Sequence, residues 1–296
     1  MKIHGIIPAM ATPMHADGSA APELVKPLVD KLIERGADGI FAIGSMGEAA
    51  SLSCEERLQV IRAAVKAADG RVPVLAGTGF VTTEETIRMT KMCRDEGIAA
   101  FSVITPFYWK LSQEAIYRHY ASVIEATETP VFVYNLPRNT GNNVEPETVG
   151  RLYREAGLKG AKDSSAVWEN TKGYMDQVGD DFTMLIGEDA LCLKGLQYGA
   201  AGAISAPSNT YTRVITSIYD RFIAGDMAGA EEAQQDWNEI IRIMGFIGTF
   251  PQNFKRITNA VTCTVGPARL PVPPADESRV QEVLEKAGKI AEKYYK

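Results

Sequence analysis

Lys162 stands in "LKGAKDSSA" (158–166), an amine among small residues just behind a short apolar run. On its own, a lysine in such a place reads as an ordinary solvated strand end. An uncharged lysine amine is also a nucleophile that forms a Schiff base with a carbonyl. Other stretches of the chain carry what such a reaction needs. In "GSMGE" (44–48), Gly44 and Gly47 let the backbone approach a ligand, and Ser45 and Met46 sit between them. N–H groups that lead into a helix attract negative charge, so Ser45, Met46 and Gly47 describe a small carboxylate pocket. "YNLPRNTG" (134–141) brings Tyr134, whose phenol can pass protons, with Arg138 and Asn139 close behind. "GED" (187–189) adds Gly187 and Asp189, "GAISA" (202–206) adds Ile204 and Ser205, and "TPFYW" (105–109) adds Tyr108. Taken singly, Tyr134 and Tyr108 read equally well as tyrosines wedged at a rim. Taken together, these residues describe a 2-oxo acid whose carboxylate rests in the loop and whose carbonyl faces Lys162.

Residues so far apart in the chain converge only if the elements that carry them end at one place. Eight short apolar runs recur: 5–10, 39–44, 72–77, 99–105, 130–135, 158–163, 182–187 and 202–206. They are continuous rather than alternating, as in parallel strands covered on both faces. Helix signals lie between them. Residues 22–35 place Leu24, Val25, Leu28, Val29, Leu32 and Ile33 on one helix face, with Pro22 suited to the first position. "SCEE" (53–56) and "TTEE" (82–85) have capping-box spacing, and Gly36, Gly70 and Gly97 stand where helices would stop. The alternation predicts an α/β fold, a (β/α)8 TIM barrel over residues 1–224, with a doubly wound sheet as the weaker alternative because no Gly-rich turn follows the first run. Residues 225–296 carry no further strand signal and predict a helical region packed on the barrel, joined through "QNFKRITNAV" and a proline-rich stretch. In a barrel of this kind the active site lies at the carboxyl ends of the strands, where every residue named above falls. A side chain at 162 that points inward leaves Asp163 pointing away, free to cap the next helix. The low-dielectric interior disfavours the ammonium form of the amine.

The composition narrows the partners. The chain has 296 residues, is 45% hydrophobic and 23% charged, and carries a net charge of −6 with a pI near 5.3. An acidic surface without a Lys/Arg run argues against nucleic acid and anionic membranes as partners. Cys54, Cys93, Cys192 and Cys263 are scattered with no CxxC pair, as in reduced thiols of a cytoplasmic protein. His4, His15 and His119 are too dispersed for a metal site, and no P-loop occurs. The expected chemistry uses no metal and no nucleotide. Pro8 and Pro13 interrupt the opening apolar run, which lacks the length of a signal or membrane segment.

In their order and spacing, "GSMGE", "TPFYWKLSQEAIYRHY", "YNLPRNTG", "GAKDSS" and "GAISA" resemble the dihydrodipicolinate synthase / N-acetylneuraminate lyase family over nearly the whole chain. The resemblance implies a (β/α)8 barrel, a homotetramer or homodimer, and class I chemistry with pyruvate, in which the covalent imine on Lys162 replaces any cofactor. It makes Tyr134 the proton shuttle and Ser45 the carboxylate-binding residue. It makes Tyr108 the tyrosine that reaches a neighbouring subunit's site. Three positions depart from the family pattern. Met46 replaces a threonine, and a thioether cannot relay a proton, so a hydroxyl chain from Tyr134 through that position to Tyr108 would be broken. Asn139 stands where the synthases carry arginine, with Arg138 one residue earlier. Asp189 is followed by Ala190, where sialic acid lyases carry Asp-Glu. "FYWK" resembles the 2-keto-3-deoxy sugar-acid aldolases of the same family, so reversible cleavage of such an acid to pyruvate and an aldehyde is the leading expectation. Asp189, Ser205 and Asn209 are then candidates for the aldehyde-side hydroxyls. The alternatives are 4-hydroxy-tetrahydrodipicolinate synthase, acting on pyruvate and aspartate semialdehyde, a dehydratase using the same imine, and a non-catalytic pyruvate-binding homologue.

Overall fold

A computed structural model describes residues 3–296. Each apolar run supplies a parallel strand: β1 Gly5–Pro8, β2 Ile40–Ala42, β3 Val74–Gly77, β4 Ala100–Ile104, β5 Val131–Asn135, β6 Gly160–Asp163, β7 Thr183–Ile186 and β8 Gly202–Ser205. They pair in the order β1-β8-β7-β6-β5-β4-β3-β2. The last seam is short. A parallel bridge between Ala9 and Phe41, with the Met10 N–H donating to the Phe41 carbonyl at 2.9 Å, joins the ends of β1 and β2 and closes the barrel. The predicted TIM barrel is the observed fold, and a doubly wound sheet is ruled out.

The strands are enclosed by α1 Val25–Glu34, α2 Cys54–Ala68, α3 Thr83–Cys93, α4 Gln113–Thr127, the single turn α5 Pro137–Thr140, α6 Pro146–Arg151, α7 Trp168–Asp176, α8 Cys192–Gln197 and α9 Thr212–Ile223. α10 Met227–Met244, α11 Gln252–Val261 and α12 Glu277–Ala291 follow beyond the barrel. α1 buries Val25, Leu28, Val29 and Leu32 completely, each contributing about 1.5–3 kcal/mol of transfer free energy. Its predicted start is displaced. Pro22 opens a 3-10 turn over Pro22–Leu24, and the α-helix proper begins at Val25. The capping box at Ser53 and Glu56 forms in full, whereas the Glu85 carboxylate accepts from the Thr82 hydroxyl instead of reaching back to its N–H. "QNFKRITNAV", read from sequence as a connection, is helix α11. Phe254, Ile257 and Val261 fall at helical spacing, and Asn253, Lys255 and Thr258 are buried in it as well. Among the described residues no helix is long and apolar enough to cross a membrane.

Candidate active site

The register of β5 against β6 pairs Tyr134 with Lys162, so the two side chains rise side by side from neighbouring strands. β6 begins at Gly160, which leaves Lys159 outside it and Lys162 within the sheet. Lys162 is buried, and its Nζ lies 4.1 Å from the centre of the Tyr134 ring and 5.2 Å from that of Phe41. Asp163 faces the opposite way, as strand alternation requires, but it does not cap the next helix: the residue at the start of α7 is Val167, with no side-chain cap. The Asp163 carboxylate instead accepts from Asn135 Nδ2, the Ser165 N–H and hydroxyl, and Thr171 Oγ1, so neutral donors hold it away from the amine.

The loop after β2 is strained. Ile43 has φ 59° and Glu48 φ 56°. A β-branched residue in the left-handed region is an outlier that costs about 1–3 kcal/mol and persists only where the surroundings over-determine it. Gly77 permits the approach, because a Cβ there would lie 1.9 Å from the Ile43 carbonyl oxygen. Between these two residues the chain turns back on itself, with the Glu48 N–H donating to the Ser45 carbonyl. Among the described residues the N–H groups of Met46 and Gly47 donate to no acceptor.

The turn also separates the roles that sequence had joined. The Ser45 hydroxyl is hydrogen-bonded to the Tyr134 hydroxyl at 3.1 Å. Met46 is not inserted between them; it is buried and lines the Lys162 cavity. The Tyr134 hydroxyl therefore finds its partner at residue 45 and not at residue 46, because consecutive side chains diverge in so tight a turn. Ser45, expected only as a carboxylate ligand, is committed to the tyrosine.

A cavity of about 770 Å³ opens over the lysine. Of the residues singled out from sequence, Ser45, Met46, Tyr134, Arg138, Asn139, Lys162, Gly187, Asp189 and Ile204 line it. Gly47 is not part of the cavity wall; its carbonyl accepts from Thr12 Oγ1 at 2.7 Å. Ser205 sits behind Asp189, to whose Oδ1 its hydroxyl donates. Asn209 is corrected: it is wholly buried outside the cavity, where it binds the Ala11 N–H and the carbonyls of Ala9 and Ala206. Tyr108 is not brought to the cavity of its own chain. It is 81% exposed at φ 80°, on a loop that Asn142 pins through the carbonyls of Pro106 and Trp109. Sequence missed Ser164, Glu188, Trp237, Asn238, Phe250, Asn253 and Phe254. Ser164 shares a strand face with Lys162 and was legible in "GAKDSS", whereas the residues beyond 225 carry no local signal of a site.

Gly187 is required by packing. A Cβ there would fall 2.1 Å from Ser164 Oγ and 3.0 Å from Lys162 Cε. Gly187→Ala is expected to displace the lysine stem and lower turnover by about 10²-fold with the fold retained, measured as steady-state rate beside circular dichroism. Asp189 accepts at Oδ1 from Ser205 and from Trp237 Nε1 (2.9 Å), yet burial outweighs these bonds and lifts its carboxyl from 3.8 to about 6. A raised folded-state value means that the folded chain holds this proton more tightly than the unfolded chain. The stabilisation is complete below about pH 4 and is lost as pH rises through about 6. Urea midpoints of the parent relative to Asp189→Asn are therefore expected to fall from about pH 4 to about pH 7, and a flat difference would contradict the assignment.

Arg138 is largely exposed, its guanidinium 3.5 Å from the Glu188 carboxylate. A second cavity of about 240 Å³ shares the walls made by Ser45, Tyr134, Asn139 and Phe250.

The model of the dihydrodipicolinate synthetase family matches residues 2–290. The chain belongs to that family. It is an enzyme of the pyruvate-dependent, Schiff-base-forming class of carbon–carbon lyases. It is 34% identical over 282 residues to the 4-hydroxy-tetrahydrodipicolinate synthase of Methanoculleus marisnigri, covering 94% of this chain and 96% of that one. It is 40% identical over 229 residues to the enzyme of the same name from Methylococcus capsulatus, covering 77% and 79%. Among solved structures it superposes on dihydrodipicolinate synthase DapA-2 of Bacillus anthracis with a TM-score of 0.90, 29% identity and coverage of 99% and 98%. It also superposes on YagE, a prophage protein of the dihydrodipicolinic acid synthase family from E. coli K12 in complex with pyruvate, at 0.89, 31% identity and coverage of 97% and 98%.

Proposed function

We propose that Lys162 forms an imine with pyruvate and that the enzyme makes or breaks a carbon–carbon bond between the derived enamine and an aldehyde. The observation that carries this reading is the Tyr134–Lys162 strand pair, with the Tyr134 hydroxyl hydrogen-bonded to Ser45. The amine attacks the C2 carbonyl and Tyr134 passes the proton that turns the carbinolamine oxygen into departing water. Loss of a C3 proton gives the enamine, whose C3 attacks the aldehyde carbon, and the aldehyde oxygen takes up a proton. Hydrolysis of the imine then releases the product and frees the amine. Cleavage runs the same steps in reverse, with Tyr134 taking the C4 hydroxyl proton. The unpaired N–H groups of Met46 and Gly47 suit the pyruvate carboxylate.

Two aldehydes are argued. The curated relatives named above support 4-hydroxy-tetrahydrodipicolinate synthesis, and that reading stands first, ahead of the sugar-acid cleavage expected from sequence. A specific observation favours a neutral, hydroxylated aldehyde: Asn139 lines the cavity where an arginine was expected, and Arg138 already faces Glu188. Release of pyruvate from 2-keto-3-deoxy acids, assayed beside condensation with aspartate semialdehyde, separates the two. A same-family dehydratase would yield a 2-oxo acid of unchanged carbon count. The non-catalytic reading rested on Met46 interrupting a hydroxyl chain; membership of a family of Schiff-base lyases and the Ser45–Tyr134 contact both weigh against it. Tyr108 belongs to the proposal as a residue offered to a second copy in a homodimer or homotetramer. Light scattering that found a monomer with full activity would remove it.

Borohydride reduction in the presence of pyruvate is expected to add one pyruvate-derived mass at Lys162. An unmodified, folded protein would overturn the imine.

A further inference from the structure

Lys255 lies on α11, beyond the barrel, and is one of the largest wholly buried side chains of the molecule. Its Nζ donates to Glu48 Oε1 at 2.7 Å and to the Thr12 carbonyl at 2.9 Å. The second Glu48 oxygen accepts from the Arg269 N–H at 2.7 Å, so both oxygens of this carboxylate are held by the region after the barrel. The ion pair is closed to solvent, with the lysine side chain 0% and the glutamate side chain 3% exposed.

Glu48 is the last residue of the loop that carries Ser45, Met46 and Gly47, and it stands in the left-handed region. Its N–H donates to the Ser45 carbonyl at 3.1 Å. Thr12, whose carbonyl Lys255 grips, donates its own hydroxyl to the Gly47 carbonyl. One ammonium group thus anchors the loop from two sides, through Glu48 and through Thr12.

A buried ion pair is weak evidence of stability, since apolar residues of the same volume often serve as well. A strained loop, by contrast, keeps its shape only if something over-determines it. We propose that Lys255 is a positioning residue for the imine chemistry. Through Glu48 and Thr12 it holds the loop so that the Ser45 hydroxyl stays on Tyr134 and the unpaired N–H groups of Met46 and Gly47 keep their place beside the cavity. This rests on the function proposed above, in which that loop holds pyruvate. It also gives the helical region after residue 224 a part in the active site.

The test uses the whole enzyme. Removing Lys255 alone would leave a buried carboxylate unpaired, so the main variant is Glu48→Gln with Lys255→Met, which removes both charges at similar volume. A second variant, Thr12→Val, cuts the other anchor without touching a charge. Borohydride trapping at rising pyruvate reads occupancy of the site, turnover reads Tyr134 alignment, and thermal melting reads the fold. The folded double variant is expected to label Lys162 fully at saturating pyruvate, with half-saturation raised about tenfold and turnover lowered about 10²-fold. Thr12→Val is expected to shift both in the same direction by a smaller factor. A merely structural pair would lower the melting temperature and leave half-saturation and turnover of the folded protein within about twofold of the parent, and that result overturns the proposal. If the double variant does not fold, an unchanged Thr12→Val overturns it. Absence of trapping in the parent enzyme would sink the proposed function instead, and is read separately.

Discussion

Lys162→Ala is expected to reduce turnover by about 10⁵-fold or more and to abolish borohydride-trapped pyruvate, while the fold survives. The size follows from the role, because removing a covalent nucleophile eliminates the pathway rather than weakening one contact. At about 1.36 kcal/mol per decade this is roughly 7 kcal/mol of barrier. The fold should survive because the lysine stem packs between the Tyr134 and Phe41 rings, and alanine leaves a hole without orphaning a partner charge. Trapping followed by peptide mass mapping is the decisive measurement. Adduct on another lysine in the variant, with activity retained, would refute the assignment.

Tyr134→Phe carries the second largest effect. The ring stays and keeps its edge-on contact with Phe41, centroids 6.1 Å apart, so stability should change little. The hydroxyl paired with Ser45 is lost, and with it the proton transfer that general acid–base catalysis ordinarily makes worth about 10²–10⁴-fold. Turnover should fall by that factor, whereas slow imine formation at Lys162 should still be trapped after long exposure to pyruvate. Ser45→Ala should reproduce a milder version, about tenfold, because the phenol remains but loses its partner. If Tyr134→Phe left turnover intact, the proton path would have to run elsewhere.

The strands were legible because parallel strands covered on both faces are written as unbroken apolar runs, and each run proved to contain one. The position of Lys162 at the end of such a run, one strand from Tyr134, followed from alternation and chain order alone. That the Tyr134 hydroxyl meets residue 45 and not 46 has a physical reason. Side chains that follow one another in sequence diverge in a turn that passes through left-handed Ile43 and Glu48, and no local pattern reports that. Tyr108 was placed by resemblance at a neighbouring subunit's site, and within its own chain it is turned to solvent.

The α11 helix shows the same boundary from the other side. Its helical spacing of Phe254, Ile257 and Val261 is local, but its buried lysine matters because of what it touches at residues 12 and 48. What the sequence by itself determined was the class of barrel, the strand that bears Lys162 and the neighbouring strand that bears Tyr134, since these depend on periodicity and order. Only the tertiary structure decided which hydroxyl meets Tyr134, where Met46 goes, and that Lys255 from beyond the barrel reaches Glu48 and Thr12. The Tyr134 and Lys255 contacts span 89 and 207 residues of chain, and short-range pattern carries no information about contacts at such separations.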